Sequence, residues 1–425
     1  MNTSTFEKVT LENGLRIILT PMQAVRSVTA IVLCGAGSRY EKKETNGVSH
    51  FLEHMFFKGT QKRPTASDIS HALDEIGADY NAFTGKEATG YHIKAASQHL
   101  PLICDMLADM LWNSKFDGAE IEKERGVIIE ELNLYEDTPM RRVAEIFEQV
   151  LWGDQPLGWD IGGRKEVIRK IQRGDFVDYI SARYVPENMV LSIAGNFKKG
   201  QTVDLIKKYY GHQKSHKVSP YIKVQEKQKK PACRVVYKKT DQAHLCLGFR
   251  GIHLTHPDRY NAAVLATILG GGMSSRLFIN VREKRGLAYY VRADNETYSD
   301  TGAFVASAGV DLRRIEEAVK VILAEFAKIA KEPVSDRELK KAKEYIKGRV
   351  ILSWEDSRVA AVSYGTDELV EGRVRTLDEE LGRIDAVKAS DIKRVARSLF
   401  TNARLNLSVI GPFKDKEKFA KILKI

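Results

Sequence analysis

The order of strand-like and helix-like segments in the first half of the chain recurs in the second half. In each half an apolar strand precedes an amphipathic helix, more strand-like sequence and two further helical patterns. These segments are 28–33, 48–56, 80–93, 100–112 and 119–135 in the first half, and 243–249, 260–269, 298–309, 315–330 and a helix that begins at Ser335 in the second. The order predicts an α+β (α/β) fold of two homologous halves from an internal duplication, each an antiparallel-rich sheet packed with helices.

A polar, lysine-rich stretch separates the two halves. Residues 211–230 contain the runs His-Gln-Lys-Ser-His-Lys and Gln-Glu-Lys-Gln-Lys-Lys, which are typical of a linker. We therefore predict a first domain over residues 1–215, a linker over 216–232 and a second domain over 233–425. A chain of 425 residues is long enough to give each domain a core of its own.

Composition excludes several classes of protein. The chain is 43% hydrophobic and 29% charged, as in ordinary globular proteins, and no apolar run approaches the length of about 18 residues that spans a membrane. The net charge of +11 comes from lysines spread along the chain, which indicates a solvated surface. The Gly270–Gly272 run lacks the Gly-Lys-Ser/Thr of a phosphate-binding loop. We therefore expect neither nucleic acid nor a membrane as a partner.

The cysteines and the N-terminal sequence indicate a reducing compartment. Cys34, Cys104, Cys233 and Cys246 form no Cys-x-x-Cys pair, and most of them lie in apolar surroundings. Buried free thiols are typical of proteins outside oxidising compartments. The segment from Met1 has neither an apolar signal region nor an arginine-rich amphipathic stretch, so we expect a cytoplasmic location.

The sharpest local feature is the pentapeptide His50-Phe-Leu-Glu-His54. The apolar residues around it recur at helical spacing, which predicts a helix over residues 48–56. On that helix His50 and His54 lie one turn apart on one face, where they could bind one Zn²⁺, and Glu53 could reach a metal-bound water. The alternative is two solvated histidines and a surface glutamate that chance has brought together.

A catalytic zinc ion usually has three protein ligands. The helix predicted over residues 119–135 offers Glu124, Glu130 and Glu131 as the third one. At about 100° per residue, Glu124 and Glu131 lie beside the apolar stripe of that helix, and Glu130 lies on the opposite side. Carboxylates beside a core are costly unless they are paired or bind a metal. Glu131 could be the ligand with Glu124 in support, or both could border the core and pair with Lys or Arg.

The sequence around these residues resembles the pitrilysin and mitochondrial processing peptidase family of zinc peptidases, which has an inverted His-x-x-Glu-His motif. The likeness starts with Gly47-Val-Ser-His-Phe-Leu-Glu-His-Met-Phe-Phe-Lys-Gly-Thr60. Glu131 lies 77 residues after His54, where the family has its glutamate ligand, and Glu124 matches a supporting glutamate seven residues earlier. In the second half, Arg282-Glu-Lys-Arg-Gly-Leu-Ala-Tyr289 matches an arginine–tyrosine pair of the family.

The resemblance implies a zinc-dependent endopeptidase that hydrolyses short or unfolded peptides inside a chamber formed by such chains. His50, His54 and Glu131 would hold one Zn²⁺ per chain. Glu53 would be the general base that activates a zinc-bound water, and Glu124 would support the ligands. The chain is expected to form a homodimer, with a heterodimer as the other possibility.

The resemblance also implies residues that bind the peptide substrate. Arg282 would bind a backbone carbonyl, and Tyr289 would donate a hydrogen bond to the oxyanion of the tetrahedral intermediate. Asn81, Ala82 and Phe83 would lie on an edge strand that pairs with the peptide backbone, which explains broad sequence tolerance. Without the family, other interpretations stay open: surface ion pairing for Arg282, core packing for Tyr289 and an ordinary sheet strand.

The second half is expected to have no metal site. Alignment of the two long helices by their first residues places Arg349 where the first half has Glu131, and Ala342 where it has Glu124. The helix that corresponds to the histidine helix, around 262–266, contains no ligand. We therefore predict a zinc-binding catalytic first domain and a homologous substrate-binding second domain that lacks metal ligands.

A catalytically silent structural or assembly subunit with the same fold is the main alternative. The family contains such members, and they usually lack the metal ligands, whereas all of the ligands are present in this chain. Zinc analysis together with a peptide cleavage assay distinguishes the two functions.

Overall fold

The computed structural model describes residues 6–425, which form a mixed α/β protein with two separate sheets. The strands are β1 Glu7–Thr10, β2 Arg16–Pro21, β3 Ser27–Cys34, β4 Asp79–Thr84, β5 Thr89–Ala96, β6 Met189–Gly195, β7 Ala232–Tyr237, β8 Ala243–Arg250, β9 Ala288–Thr297, β10 Gly302–Val310 and β11 Leu405–Gly411. The helices are α1 Val48–Met55, α2 Ala66–Asp74, α3 Leu100–Asn113, α4 Gly118–Asp137, α5 Pro139–Trp152, α6 Lys165–Ile168, α7 Arg173–Arg183, α8 Lys199–Tyr210, α9 Arg259–Gly270, α10 Ile315–Lys331, α11 Asp336–Ser353, α12 Ser357–Glu371, α13 Leu377–Asp385, α14 Ala389–Leu399 and α15 Glu417–Ile422. The predicted fold class is confirmed.

The first sheet has six strands in the order β1-β2-β6-β3-β5-β4. Strands β2 and β6 are parallel, and all other neighbouring strands are antiparallel. The central strands β3 and β6 are buried almost throughout, as is typical of strands that are covered on both faces. Strand β4 is the outermost strand on one side, and its residues alternate between exposed and half-buried. The predicted strand over residues 80–84 is therefore an edge strand.

The second sheet has five strands in the order β7-β11-β8-β10-β9. Strands β7 and β11 are parallel, and the other pairs are antiparallel. Helices α9, α10 and α14 contribute to the large core that covers one face of this sheet. Strand β10 matches the strand-rich segment predicted over 298–309, whereas the outermost strand β9 begins ten residues earlier than that segment. Strand β9 begins with Ala-Tyr-Tyr-Val and continues with Arg-Ala-Asp-Asn-Glu-Thr. Because its second part is mostly polar and charged, a prediction based on apolar runs did not identify it as a strand.

The chain divides into two compact units that are not two continuous halves. The first unit contains the described part of Met1–Leu132, Trp159–Ile222 and Ile351–Glu379, and the second contains Asn133–Gly158, Lys223–Val350 and Glu380–Ile425. Each unit therefore includes a segment from the other half of the sequence. The chain passes from one unit to the other at five points, and one of them, between residues 222 and 223, lies inside the predicted linker over 216–232. The exchange of segments departs from the predicted continuous domains over 1–215 and 233–425.

The exchanged segments supply helices to the sheet cores. Helix α12, from the second half of the sequence, packs on β3 and β6 of the first sheet, where Ala360 and Ala361 contact Ile31 and Leu33. Helix α12 also has a glycine, Gly365, at a position where an added Cβ would lie 2.6 Å from the Leu33 side chain. Conversely, α5 from the first half packs on β8 and β11 of the second sheet. Each sheet therefore has one face covered by a helix that lies far away in sequence.

Two smaller expectations concern the thiols and the membrane. All four cysteines are free, and Cys34, Cys104 and Cys246 are buried while Cys233 is half-buried. Among residues 6–425, none of the helices combines the length and the apolar character that a membrane crossing requires.

Candidate metal centre

Helix α1 presents its apolar residues to the core and its candidate ligands to the other side. Val48, Phe51, Leu52 and Met55 are buried, as the helical spacing predicted. The opposite side of the same two turns carries the two predicted histidine ligands and the predicted general base, His50, His54 and Glu53. All three are half-buried. The helix thus fixes the three polar side chains by burying the four apolar ones.

The N-terminus of α1 is held by a carboxylate from outside the helix. The N-cap residue, Gly47, has φ +101° and no side chain that could cap the helix. The buried Glu41 carboxylate accepts hydrogen bonds from the backbone N–H of Gly47 at 2.7 Å and of Ser49 at 2.8 Å. It also accepts hydrogen bonds from the Asn46 amide at 2.8 Å and from the Ser49 hydroxyl. Glu41 therefore satisfies the open end of the helix that carries the histidines.

Helix α4 brings the two predicted glutamates to this helix. Ile121, Ile128 and Leu132 bury the apolar stripe of α4, and Glu124 is buried beside that stripe with 5% of its surface exposed. Glu131 is half-buried two turns further along. The predicted positions of both glutamates beside the stripe are confirmed.

The candidate ligands converge on one carboxylate oxygen. The Nε2 atom of His50 lies 3.6 Å from Oε2 of Glu131, and the Nε2 atom of His54 lies 3.5 Å from the same oxygen. Each of the three residues has one potential metal-ligand atom, and these atoms all lie within 4.8 Å of one another. The 3.5–3.6 Å separations exceed ordinary hydrogen bonds. Two ligands of one tetrahedral zinc ion, each about 2.0–2.1 Å from it, are about 3.3 Å apart. The donor set and its spacing therefore fit zinc.

A second set of contacts orients His54. Its Nδ1 atom lies 2.8 Å from Oε1 of Glu124, and the other oxygen of that carboxylate accepts a hydrogen bond from Lys58 Nζ at 2.6 Å. With a proton on Nδ1, the Nε2 atom of His54 is the one that is directed to Glu131. Such a carboxylate–histidine pair fixes the ring and the tautomer of a metal ligand. Lys58 was not predicted, although it lies within the motif.

The charges of these groups shift their pKa values. Burial by itself would lower the pKa of His54, but the hydrogen bonds and charges of Glu124 and Glu131 raise it to about 9 in the metal-free protein. Burial would raise the pKa of Glu124, but His54 and Lys58 outweigh burial, so that this pKa is lowered. The Glu124 carboxylate is therefore ionised at neutral pH.

The predicted general base, Glu53, lies between the candidate metal ligands and the edge strand β4. Oε2 of Glu53 accepts a hydrogen bond from the Thr84 hydroxyl at 2.6 Å, and Thr84 is the last residue of β4. Burial raises the pKa of Glu53, while the Thr84 hydrogen bond and the nearby His54 oppose that rise. Thr84 was not predicted either, because it lies 31 residues from Glu53 and belongs to a different element.

The predicted peptide-binding residues lie on β4 beside this base. Asn81 and Phe83 are exposed, and Ala82 between them is half-buried. Since side chains alternate along a strand, Ala82 shares the face of Thr84, and Asn81 and Phe83 lie on the other face. The Ala82 backbone N–H donates to Oδ1 of Asn81 at 2.8 Å. The three residues therefore lie on an edge strand whose last residue contacts Glu53.

The remaining two predicted residues belong to the second unit. Arg282 lies in the short helical segment Phe278–Glu283, and Tyr289 is the second residue of the outermost strand β9. The Arg282 guanidinium carbon lies 5.5 Å from the centroid of the Tyr289 ring. The Tyr289 side chain is not packed in a core, because 72% of its surface is exposed. Arg282 and Tyr289 thus lie close together within the second unit, whereas the three candidate metal ligands lie together within the first unit.

Two protein families match separate parts of the chain. Residues 16–164 match the family described as Insulinase (Peptidase family M16), and residues 170–346 match the family described as Peptidase M16 inactive domain. The candidate metal ligands His50, His54 and Glu131 lie in the part that matches the first family.

Curated relatives match along nearly the whole chain. The chain is 37% identical over 406 residues to YmxG, an uncharacterized zinc protease of Bacillus subtilis, which covers 96% of this chain and 98% of that protein. It is 36% identical over 419 residues to an uncharacterized zinc protease of Streptomyces coelicolor, with 97% of this chain and 91% of that protein covered. Both relatives carry the name zinc protease, and neither name states a substrate.

Solved structures show the same fold. A protease from Helicobacter pylori superposes with a TM-score of 0.91 and 25% identity, over 96% of this chain and 100% of that chain. A peptidase M16 inactive domain from Pseudomonas fluorescens superposes with a TM-score of 0.89 at 16% identity, over 97% of this chain and 99% of that chain, and this likeness concerns the fold alone. Since relatives above 30% identity match along almost their full length, the chain belongs to peptidase family M16.

Proposed function

We propose that this chain is a zinc-dependent endopeptidase that hydrolyses short or unfolded peptides. One observation carries the proposal: the Nε2 atoms of His50 and His54 lie 3.6 and 3.5 Å from a single oxygen of Glu131. Two helices that are far apart in sequence place these atoms at the spacing of ligands on one ion. The names of the curated relatives support zinc as the metal and a protease as the activity.

The protein groups around the ion would divide the chemistry among them. A zinc ion bound to this cluster would supply Lewis acidity and lower the pKa of a bound water to about 7. Glu53 would accept the proton of the attacking water and deliver it to the leaving amine. Glu124 and Lys58 would keep the His54 ring in place, since Glu124 contacts Nδ1 of His54 at 2.8 Å and Lys58 contacts Glu124 at 2.6 Å.

The substrate would bind as an added strand on β4. Main-chain hydrogen bonds to the backbone around Asn81, Ala82 and Phe83 would hold peptides of many sequences, because they involve no side chain of the substrate. We also propose that Arg282 binds a substrate carbonyl and that Tyr289 donates a hydrogen bond to the oxyanion. Support comes from the exposure of Tyr289 and from the guanidinium that lies 5.5 Å from its ring.

Replacement of the proposed base tests the hydrolytic function. Glu53→Gln should lower the cleavage rate of internally quenched peptides by about 10²–10⁴-fold, because the amide cannot accept a proton. The zinc content should be unchanged, because Glu53 is not one of the proposed ligands. The matched control is Glu130→Gln on the exposed side of α4, which should cleave at the wild-type rate. Near-normal turnover by Glu53→Gln would refute the proposed base.

The second candidate function is a catalytically silent structural or assembly subunit. The observation that favours it is the match of residues 170–346 to a family described as an inactive domain. The complete cluster of candidate ligands favours the enzyme. Purified protein that binds zinc stoichiometrically but cleaves no member of a peptide library would support the subunit.

The homodimer stays a prediction, which light scattering of the purified chain checks.

A further inference from the structure

The edge strand is connected to the proposed base by a single side chain. The hydroxyl of Thr84 donates a hydrogen bond to Oε2 of Glu53 at 2.6 Å, within the range of a charge-assisted hydrogen bond from a hydroxyl to a carboxylate. Thr84 lies at the end of β4, and Glu53 lies in the second turn of α1. The contact therefore joins the strand proposed to bind the peptide with the helix proposed to carry the base.

The backbone on either side restricts where the Thr84 hydroxyl can lie. Thr84 pairs with Thr89 of β5, so the strand register sets the position of its Cα atom. A β-branched side chain in a strand has few χ1 rotamers, and the hydroxyl direction follows from the backbone. The same hydroxyl lies 3.5 Å from the carbonyl oxygen of Ser49, at the start of α1. The Glu53 carboxylate has, by contrast, three rotatable bonds of its own.

We propose that Thr84 is a positioning residue that aims the Glu53 carboxylate and couples it to the strand on which the peptide binds. This inference rests on the proposed peptidase function. The Thr84 hydroxyl donates to Glu53 and lies 3.5 Å from the Ser49 carbonyl oxygen, so Thr84 would act on the reaction through Glu53. A peptide that pairs with β4 would stabilise the strand whose last residue holds the base, and substrate binding would thereby order the proton acceptor.

Two substitutions separate the hydroxyl from the shape of the side chain. Thr84→Val keeps the branched shape and removes the donor, whereas Thr84→Ser keeps the donor. We expect Thr84→Val to lower kcat by about 10–100-fold, the range expected when one hydrogen bond to a charged group is lost. Its KM and its zinc content should match the wild type. Thr84→Ser should have a kcat close to that of the wild type. If Thr84→Val does not fold, Thr84→Ala takes its place and should show the same loss of kcat.

The control is a buried threonine of the same sheet that does not pair with Thr84. Thr29 of β3 is buried, pairs with Lys94 of β5, and its hydroxyl lies 2.9 Å from the Ser357 hydroxyl. Thr29→Val should lower the thermal midpoint without lowering kcat at temperatures where it is folded. A residue with a merely structural role would behave in that way.

The possible outcomes distinguish this inference from the proposed function. Wild-type cleavage that depends on zinc, together with an unchanged kcat in Thr84→Val, would overturn the role of Thr84 and leave the peptidase standing. An effect on KM alone, or a loss of zinc from Thr84→Val, would overturn that role as well. A wild-type chain that cleaves no peptide in the presence of zinc would overturn the peptidase and the inference that rests on it.

Discussion

At the scale of single residues, the proposed centre depends on where the protons are. The proposed ligand His54 has acidic surroundings, because Glu124 contacts its Nδ1 atom and Glu131 lies 3.5 Å from its Nε2 atom. These neighbours raise the pKa of His54 to about 9 in the metal-free protein. At pH 7 the ring is therefore protonated before metal binds, and its Nε2 lone pair is occupied by a proton. Zinc binding has to displace that proton.

Proton release measures this competition. Calorimetric titration of the chelator-treated protein with zinc at pH 7, in buffers of different ionisation enthalpy, should show release of about one proton from His54. The part of the release that comes from His54 should fall as the pH rises through about 9, where the metal-free ring becomes neutral. The proposed zinc-bound water, with a pKa of about 7, would add a release of its own above that pH. The apparent zinc affinity should rise with pH over the same range.

Glu124→Gln is the matched variant for this titration. Loss of the carboxylate lowers the pKa of His54 towards its ordinary value, so fewer protons should be released at pH 7. A wild-type protein that releases no proton at pH 7 would contradict the assignment of His54 as a ligand with a raised pKa.

The sequence indicates the candidate ligands more readily than most of the residues that contact them. The spacing of His50 and His54 requires only that the segment be helical, and helical periodicity is visible in sequence. Glu131 was one of two candidates on its helix until the family resemblance selected it. Glu41, Lys58 and Thr84 could not be assigned, because each acts through a tertiary contact whose partner the local pattern does not indicate.

At the scale of elements, the histidine helix is short and depends on its ends. Helix α1 has eight residues, which is marginal for a helix without tertiary support. Its N-terminus lacks a side-chain cap of its own, because the N-cap residue Gly47, with φ +101°, has no side chain. The carboxylate of Glu41 fulfils that role and lies buried with 5% exposure. A carboxylate at this end also interacts favourably with the helix dipole.

Glu41→Gln should therefore damage the metal site from a distance. Each oxygen of the Glu41 carboxylate accepts two hydrogen bonds, so the amide removes the acceptor of two buried donors, either those of Gly47 and Asn46 or the two of Ser49. Since one unsatisfied buried group costs about 1–3 kcal/mol, the free energy of unfolding should fall by that amount or more. Because His50 lies in the first turn of α1, zinc affinity measured by competition with a chromophoric chelator should also fall. Glu44→Gln, in the same loop but exposed, should change neither quantity. Equal unfolding free energies for Glu41→Gln and the wild type would show that the cap is dispensable.

At the scale of the whole molecule, two helices determine how the chain can be divided. These exchanged helices, α5 and α12, each pack on the sheet of the other half of the sequence. Helix α12 covers the apolar face of the first sheet at Ile31, Leu33 and Ala194, all of which are 0% exposed. Helix α5 in turn places Phe147 and Trp152 in the core against the second sheet. Neither of these two helices was predicted from the sequence. An amphipathic pattern would in any case show that a face is buried but not which sheet buries it.

Separate expression of the two halves tests this dependence. A fragment of residues 1–222 lacks α12, so its sheet would expose a buried apolar face, and it should aggregate or show no cooperative thermal unfolding. A fragment of residues 223–425 lacks α5 and should behave in the same way. Co-expression should instead yield one soluble complex of both fragments, because each supplies the other's missing helix. Size-exclusion chromatography and circular dichroism melting report both results.

The control for this experiment keeps every helix in place. A full-length chain with a protease site between residues 211 and 222, cut after folding, should elute as one species and melt cooperatively near the uncut protein, since this stretch contributes neither helix nor strand. A fragment of residues 1–222 that melts cooperatively at the wild-type temperature would contradict the argument, because its sheet would then be stable without α12. The cut chain and the co-expressed fragments should be indistinguishable, since both contain the same two exchanged helices and differ only in how the break was made.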